Sequence, residues 1–176
     1  DFVEAPSQML EEWIYDPRVL ALMREVCPTC KPVPDELLAK AKVADRYGKG
    51  VRYARQQFYA SFDRALHDAD APEPRGLWAK MEGASELGHV PGTQGPAGFS
   101  HVAGGYAAGY YGYLWSEVVA ADLRTAFGTD KLDAKVGRRY RDIVLANGGQ
   151  KQPQQLVREF LGRDSNSKAF FEDLKR

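Results

Sequence analysis

Fifteen residues from Phe99 to Tyr113 hold one imidazole (His101), four phenols (Tyr106, Tyr110, Tyr111, Tyr113) and four glycines (Gly104, Gly105, Gly109, Gly112). Imidazole and phenol can donate a proton or a hydrogen bond to an oxyanion as it forms. Glycine lets a backbone pass close to a ligand. The segment therefore reads as half of an active site. Tyr106, Tyr110 and Tyr113 are four and three residues apart and would share a face with His101 if the segment were helical. An aromatic core stripe has the same spacing. The glycines weigh against a stiff buried helix, because each costs about 1 kcal/mol in a helix interior.

A second candidate is Glu4, which lies beside Phe2, Val3 and Ala5 on the apolar side of a helical pattern. A buried carboxylate needs a partner. That partner is either an Arg or Lys elsewhere in the chain or a metal ion. Zinc hydrolases with two His ligands and one carboxylate take the His pair from H-E-x-x-H. His67, His89 and His101 are followed by Asp-Ala, Val-Pro and Val-Ala, so that motif is absent from the chain. No G-x-S-x-G, G-x-G-x-x-G or G-K-[ST] fingerprint is present either. Cys27-Pro28-Thr29-Cys30 has the spacing of a redox or zinc motif, yet it has neither a second ligand pair nor a βαβ context. It reads as a local disulfide or as two free thiols.

The elements that must position these residues are helical. Phe2, Val3, Met9, Leu10, Trp13 and Ile14 follow a helical period from Asp1 to about Asp16. Pro17, Pro28, Pro32 and Pro34 bracket a turn-rich stretch. From Glu36 to His67 the pattern fits two helices or one kinked helix, interrupted near Gly48. A short helix is expected from Trp78 to Leu87, and an irregular loop from Gly88 to Gly98. A buried helix should run from Tyr110 to Phe127, with Gly128 ending it. Three amphipathic helices should follow at 131–146, 152–161 and 168–174. Gly162 is the expected C-terminal cap of the second. Trp13, Trp78 and Trp115 read as core residues. No period-2 strand pattern or internal repeat appears, so the fold class is all-α.

The 176 residues suffice for one folded domain, with 44% apolar content and a formal charge of zero. That balance argues against nucleic acid or an anionic membrane as a partner. No apolar run approaches the roughly 20 residues that span a bilayer. The start at Asp1 lacks an initiator Met and a secretory signal, so the chain is expected to be the interior of a longer one.

The residues Asp1-Phe2-Val3-Glu4-Ala5-Pro6-Ser7-Gln8-Met9-Leu10-Glu11 closely resemble the thimet oligopeptidase and neurolysin family of zinc metallopeptidases. So does His101 to Glu117, ending in Tyr110-Tyr111-Gly112-Tyr113-Leu114-Trp115-Ser116-Glu117. The likeness continues through Lys135-Val136-Gly137 and Phe160-Leu161-Gly162-Arg163-Asp164. The resemblance implies the helical C-terminal portion of a two-lobed catalytic domain, with residues 1–176 lacking the upstream H-E-x-x-H helix. It implies one zinc ion, with Glu4 as third ligand and the other two ligands outside this chain. It further implies that His101, Tyr110 and Tyr113 act on the oxyanion, and that His101, Gly104, Gly105, Tyr106 and Tyr110 contact substrate.

The partners so implied are short peptide substrates and the remaining N-terminal part of the same enzyme. The chain alone is then expected to be inactive. A non-catalytic helical module that binds peptides or a partner is the alternative. Cytoplasm is the location the resemblance implies, or a periplasmic or exported one if Cys27 and Cys30 are bonded.

Overall fold

A proline or an acidic cap marks where several of the helices begin. The computed structural model describes residues 2–68, 70 and 72–175, which contain ten α-helices and no strand. Asp1, included above in the first helical pattern and in the first resembling motif, lies outside the described residues. The residues form two compact units, Gly48–Trp115 and a second made of Phe2–Tyr47 with 116–175.

In the second unit α1 (Ala5–Glu11) starts with Pro6 in its first turn, where the missing N–H removes no intrahelical bond. The helix is shorter than its apolar pattern, and Glu12–Tyr15 continues as a 3₁₀ turn. Ala5 and Met9 are buried, whereas Val3, Leu10 and Ile14 are exposed. The stretch after Pro17 differs from the expected turns: α2 spans Pro17–Val26. Pro17 occupies its first position, and Asp16 accepts the Arg18 backbone N–H at 2.9 Å. A proline read as a breaker is here a helix start. Cys27 and Cys30 form a disulfide just beyond the helix, which selects between the two readings of that pair.

Helix α3 (Asp35–Arg46) ends before Gly48, whose φ of +66° is a left-handed conformation that suits a residue without Cβ. The 35–66 stretch is thus two helices. After α7 (Tyr111–Arg124) come α8 (Ala134–Ile143), α9 (Pro153–Leu161) and α10 (Lys168–Leu174). The Asp133 carboxylate caps α8 by accepting the N–H groups of Lys135 and Val136 at 2.8 and 3.0 Å. Gly162 closes α9, as expected.

Ala5, Met9, Leu123, Phe127, Tyr140, Val157 and Phe160 form the core of this unit. Beside it the fully buried Asp122 carboxylate accepts both Arg163 guanidinium nitrogens, at 2.8 and 2.7 Å, and the Asn166 N–H at 2.9 Å. Such a bidentate pair satisfies a charge that burial would otherwise penalise heavily.

The first unit is built on α4 (Lys49–Leu66) and α5 (Pro74–Gly83). Pro74 opens α5, and the Glu73 side chain accepts the N–H groups of Arg75 and Gly76 at 2.8 and 2.6 Å. The helix sits a few residues before its expected place. A single turn, α6 (Gly95–Gly98), interrupts the expected 88–98 loop. Aromatic rings fill the core: Phe58 and Phe62 meet Trp78 edge-on with centroids 4.7 and 4.9 Å apart, and Phe99 meets Tyr110 at 4.9 Å. Of the three tryptophans, Trp78 is buried and Trp13 half-buried, while Trp115 is 58% exposed. Trp115 is therefore not a core residue. It lies in the first turns of α7, on a face that points to solvent.

Candidate active site

The segment that follows α6 is not α-helical until Tyr111. Ser100–Ala103 is a 3₁₀ turn and residues 104–110 are successive turns, in keeping with the glycine content. The rings nevertheless converge. His101 lies 5.0 Å from Tyr110, 5.7 Å from Tyr113 and 5.8 Å from Tyr106, centroid to centroid, each in an edge-on arrangement. Tyr106 stacks on Tyr113 at 5.3 Å with an interplanar angle of 18°. Turn geometry therefore achieves the gathering that the Tyr spacing promised for a helix.

The polar ends of these rings differ in their surroundings. The Tyr113 hydroxyl lies 3.4 Å from His101 Nε2, at the long limit of a hydrogen bond, and both residues are half-buried. Tyr110 is 9% exposed and belongs to the aromatic core. Burial pushes its phenol pKa up; a hydrogen bond with Gln56 opposes this, and the nearby Tyr59 and Tyr113 add to the rise. The phenol therefore stays protonated at neutral pH and keeps a proton to donate. Gly104 and Gly105 are exposed, so the backbone at this edge is open. The cluster thus offers one imidazole and two half-buried phenols beside accessible backbone, with a third phenol supporting them from the core.

Glu4 belongs to the other unit, where it occupies the N-cap position of α1. It is half-buried, and its Oε2 accepts the Ser7 hydroxyl at 3.2 Å. It does not cap the helix with its side chain. A half-buried carboxylate oriented by a neighbouring hydroxyl has the chemistry of a single metal ligand. Among the described residues no group of three or more His, Cys, Asp or Glu side chains could hold a metal ion.

The model of peptidase family M3 matches residues 1–176. The chain belongs to peptidase family M3. It is 37% identical over 179 residues to oligopeptidase A of Salmonella typhimurium, an alignment covering 98% of this chain and 26% of that protein. Saccharolysin of Saccharomyces cerevisiae is 36% identical over 182 residues, covering 99% and 25% of the two chains. The thimet-like oligopeptidase of Dictyostelium discoideum is 32% identical over 185 residues, covering 99% and 27%. The chain spans about a quarter of the length of these curated relatives. Membership agrees with the resemblance drawn from the two motifs.

Two residues of this M3 chain that the sequence reading passed over grip the loop from behind. Asp63 of α4 is 1% exposed, and its carboxylate accepts the backbone N–H groups of Ala108 at 3.1 Å and Tyr110 at 2.9 Å. His67, one turn on, places Nδ1 at 2.8 Å from the Asp63 carbonyl oxygen and Nε2 at 3.1 Å from that of Val102. A signal was available: an acid within the Phe58, Phe62, Leu66 apolar pattern, followed by a His at i+4.

Deeper in the same unit, Glu82 accepts from Trp78 Nε1 and His89 Nδ1, both at 2.9 Å, and from Arg55. This cluster fixes the indole on which the aromatic core rests.

Proposed function

We propose that the chain is the C-terminal part of the catalytic domain of a zinc metalloendopeptidase, lacking the H-E-x-x-H helix, that hydrolyses short peptides. The observation that carries this is the convergence of His101, Tyr106, Tyr110 and Tyr113 on one glycine-rich loop in a chain of peptidase family M3. Peptide hydrolysis builds negative charge on the scissile carbonyl oxygen. Preorganised donors stabilise that charge. Tyr113, with His101 beside its hydroxyl, is the donor aimed at the oxyanion. Tyr110, held protonated in the core, backs it. Gly104, Gly105 and Tyr106 form the edge along which the substrate backbone is held, and His101 spans both roles.

Glu4 is the ligand this chain contributes to zinc, and the other two come from outside residues 1–176. When bound, zinc supplies Lewis-acid polarisation of the substrate carbonyl. The remaining N-terminal part of the same enzyme is the chain's structural partner. Among the described residues no helix is long and apolar enough to cross a membrane. The Cys27–Cys30 bond supports a periplasmic or exported location, because disulfides persist in oxidising compartments.

The test is a pair of variants in the full-length protein, assayed on a quenched fluorescent peptide and for metal content. His101→Ala should lower kcat/KM by about 10²–10³ while zinc stays bound. Glu4→Gln should lower zinc content and recover part of its activity at high zinc. The isolated chain should hydrolyse nothing and titrate zinc only weakly. Tight stoichiometric zinc binding by the isolated chain, or wild-type activity of His101→Ala, would sink the reading.

A further inference from the structure

We propose that Asp63, with His67 behind it, is the positioning residue that holds the 99–113 loop in the conformation presenting His101, Tyr110 and Tyr113. The proposal rests on the assignment of that loop to the oxyanion and substrate. Ala108 has a φ of +56° and is the only non-glycine among the described residues with positive φ. An L-residue occupies that region only where the surroundings over-determine it. The Asp63 carboxylate supplies that determination. It accepts the N–H groups of Ala108 and Tyr110, two residues apart, the pattern in which a backbone nest closes on an anion. The Tyr110 bond fixes the residue just before α7, and through it the direction in which Tyr110 and Tyr113 leave the helix start.

His67 extends the grip to the other end of the loop. Both ring nitrogens face carbonyl oxygens, which only accept, so the two bonds coexist when both nitrogens carry protons. Nδ1 is also 3.3 Å from Asp63 Oδ1, so the ring lies against the carboxylate as well as the carbonyl of the same residue. One helical turn of α4 therefore holds Val102, next to His101, and the 108–110 segment, next to the tyrosines. Neither Asp63 nor His67 touches the rings of Tyr106, Tyr110 or Tyr113 through a polar side-chain contact in the structure. Their action is on the backbone.

The experiment uses the full-length protein with Asp63→Asn, a variant of nearly the same shape that keeps one acceptor oxygen and turns an NH₂ toward the second amide. kcat/KM on a short peptide should fall about tenfold or more, the factor roughly one such hydrogen bond represents. Amide exchange should quicken in 104–110 while α8 and α9 keep wild-type protection. Adding Ala108→Gly should restore part of the activity, because glycine adopts positive φ without a Cβ penalty. In a Tyr113→Phe background Asp63→Asn should cost less than it does in wild type.

Unchanged exchange in 104–110 would overturn the proposal, and so would an equal cost in both backgrounds when Tyr113→Phe is itself impaired. An inert Tyr113→Phe would refute the oxyanion reading instead, leaving the exchange data to decide on Asp63. If Asp63→Asn does not fold, His67→Gln takes its place. Faster exchange in 100–104 and a lower kcat/KM would support the proposal, and wild-type values for both would refute it.

Discussion

Replacing Glu82 by Gln should cost about 2–4 kcal/mol of stability, and the sum follows from who can reach water afterwards. Glu82 is 7% exposed, and its carboxylate accepts from Arg55, Trp78 and His89. A carboxamide offers one acceptor oxygen and points an NH₂ at groups that are themselves donors. The Arg55 and His89 side chains are 33% and 22% exposed, so they can turn partly to solvent. The Trp78 N–H is sealed among Phe58, Phe62 and Phe99 and cannot.

The loss is therefore less than three charge-assisted bonds and more than one. With a urea m-value of roughly 1–3 kcal/mol/M, the midpoint should drop by about 1–2 M with m unchanged. Acid should narrow the gap. Burial pushes the Glu82 carboxyl up, but hydrogen bonds from His89, Arg55 and Trp78 outweigh it and leave its pKa below the ordinary value of 4.5. A depressed folded-state pKa gives stability that is present above the unfolded value and lost as pH falls from there through the folded one. Wild type should thus lose more stability than Glu82→Gln on acidification below about pH 4.5. Coincident urea midpoints at neutral pH would refute the reasoning, since they would mean all three donors rehydrate at no cost.

Three further outcomes follow from packing. Gly95→Ala would place its Cβ 2.3 Å from the Trp78 ring, whose neighbours leave it no room, so about 1–3 kcal/mol should be lost on urea denaturation. Gly98→Ala, with open space at the same point, should be close to neutral. Arg163→Ala strips two bonds from the buried Asp122 carboxylate and should cost about 3 kcal/mol in the same assay.

Local signals carried most of the fold, and their failures have physical causes. Helices α8 to α10 were readable because each carries its own amphipathic period, and Gly162 ends α9 by acting on its immediate neighbours. Helix α2 was missed because Pro17 stops one element and starts another, and only the preceding Asp16 reveals which. Trp115 was misplaced because ring size argues for burial while its helical face decides it. At the candidate site, the gathering of His101 with three tyrosines was legible from composition and spacing. The backbone route was not: the helical reading fails before Tyr111, and turns bring the rings together. Asp63 grips amides 45 and 47 residues away, a pairing that no local pattern encodes.

The central claim is that the loop's phenols stabilise charge at the scissile carbonyl, and the kinetics of Tyr113→Phe in the full-length protein test it most directly. The Tyr113 hydroxyl stands 3.4 Å from His101 Nε2, while the Tyr110 phenol is engaged with Gln56 in the core. A donor that acts only in the transition state lowers kcat and kcat/KM together. Measured on a quenched fluorescent peptide, kcat should fall by about 10²–10³ with KM nearly unchanged. A variant with wild-type kcat would contradict the account, and an intact kcat with a raised KM would make Tyr113 a binding residue only.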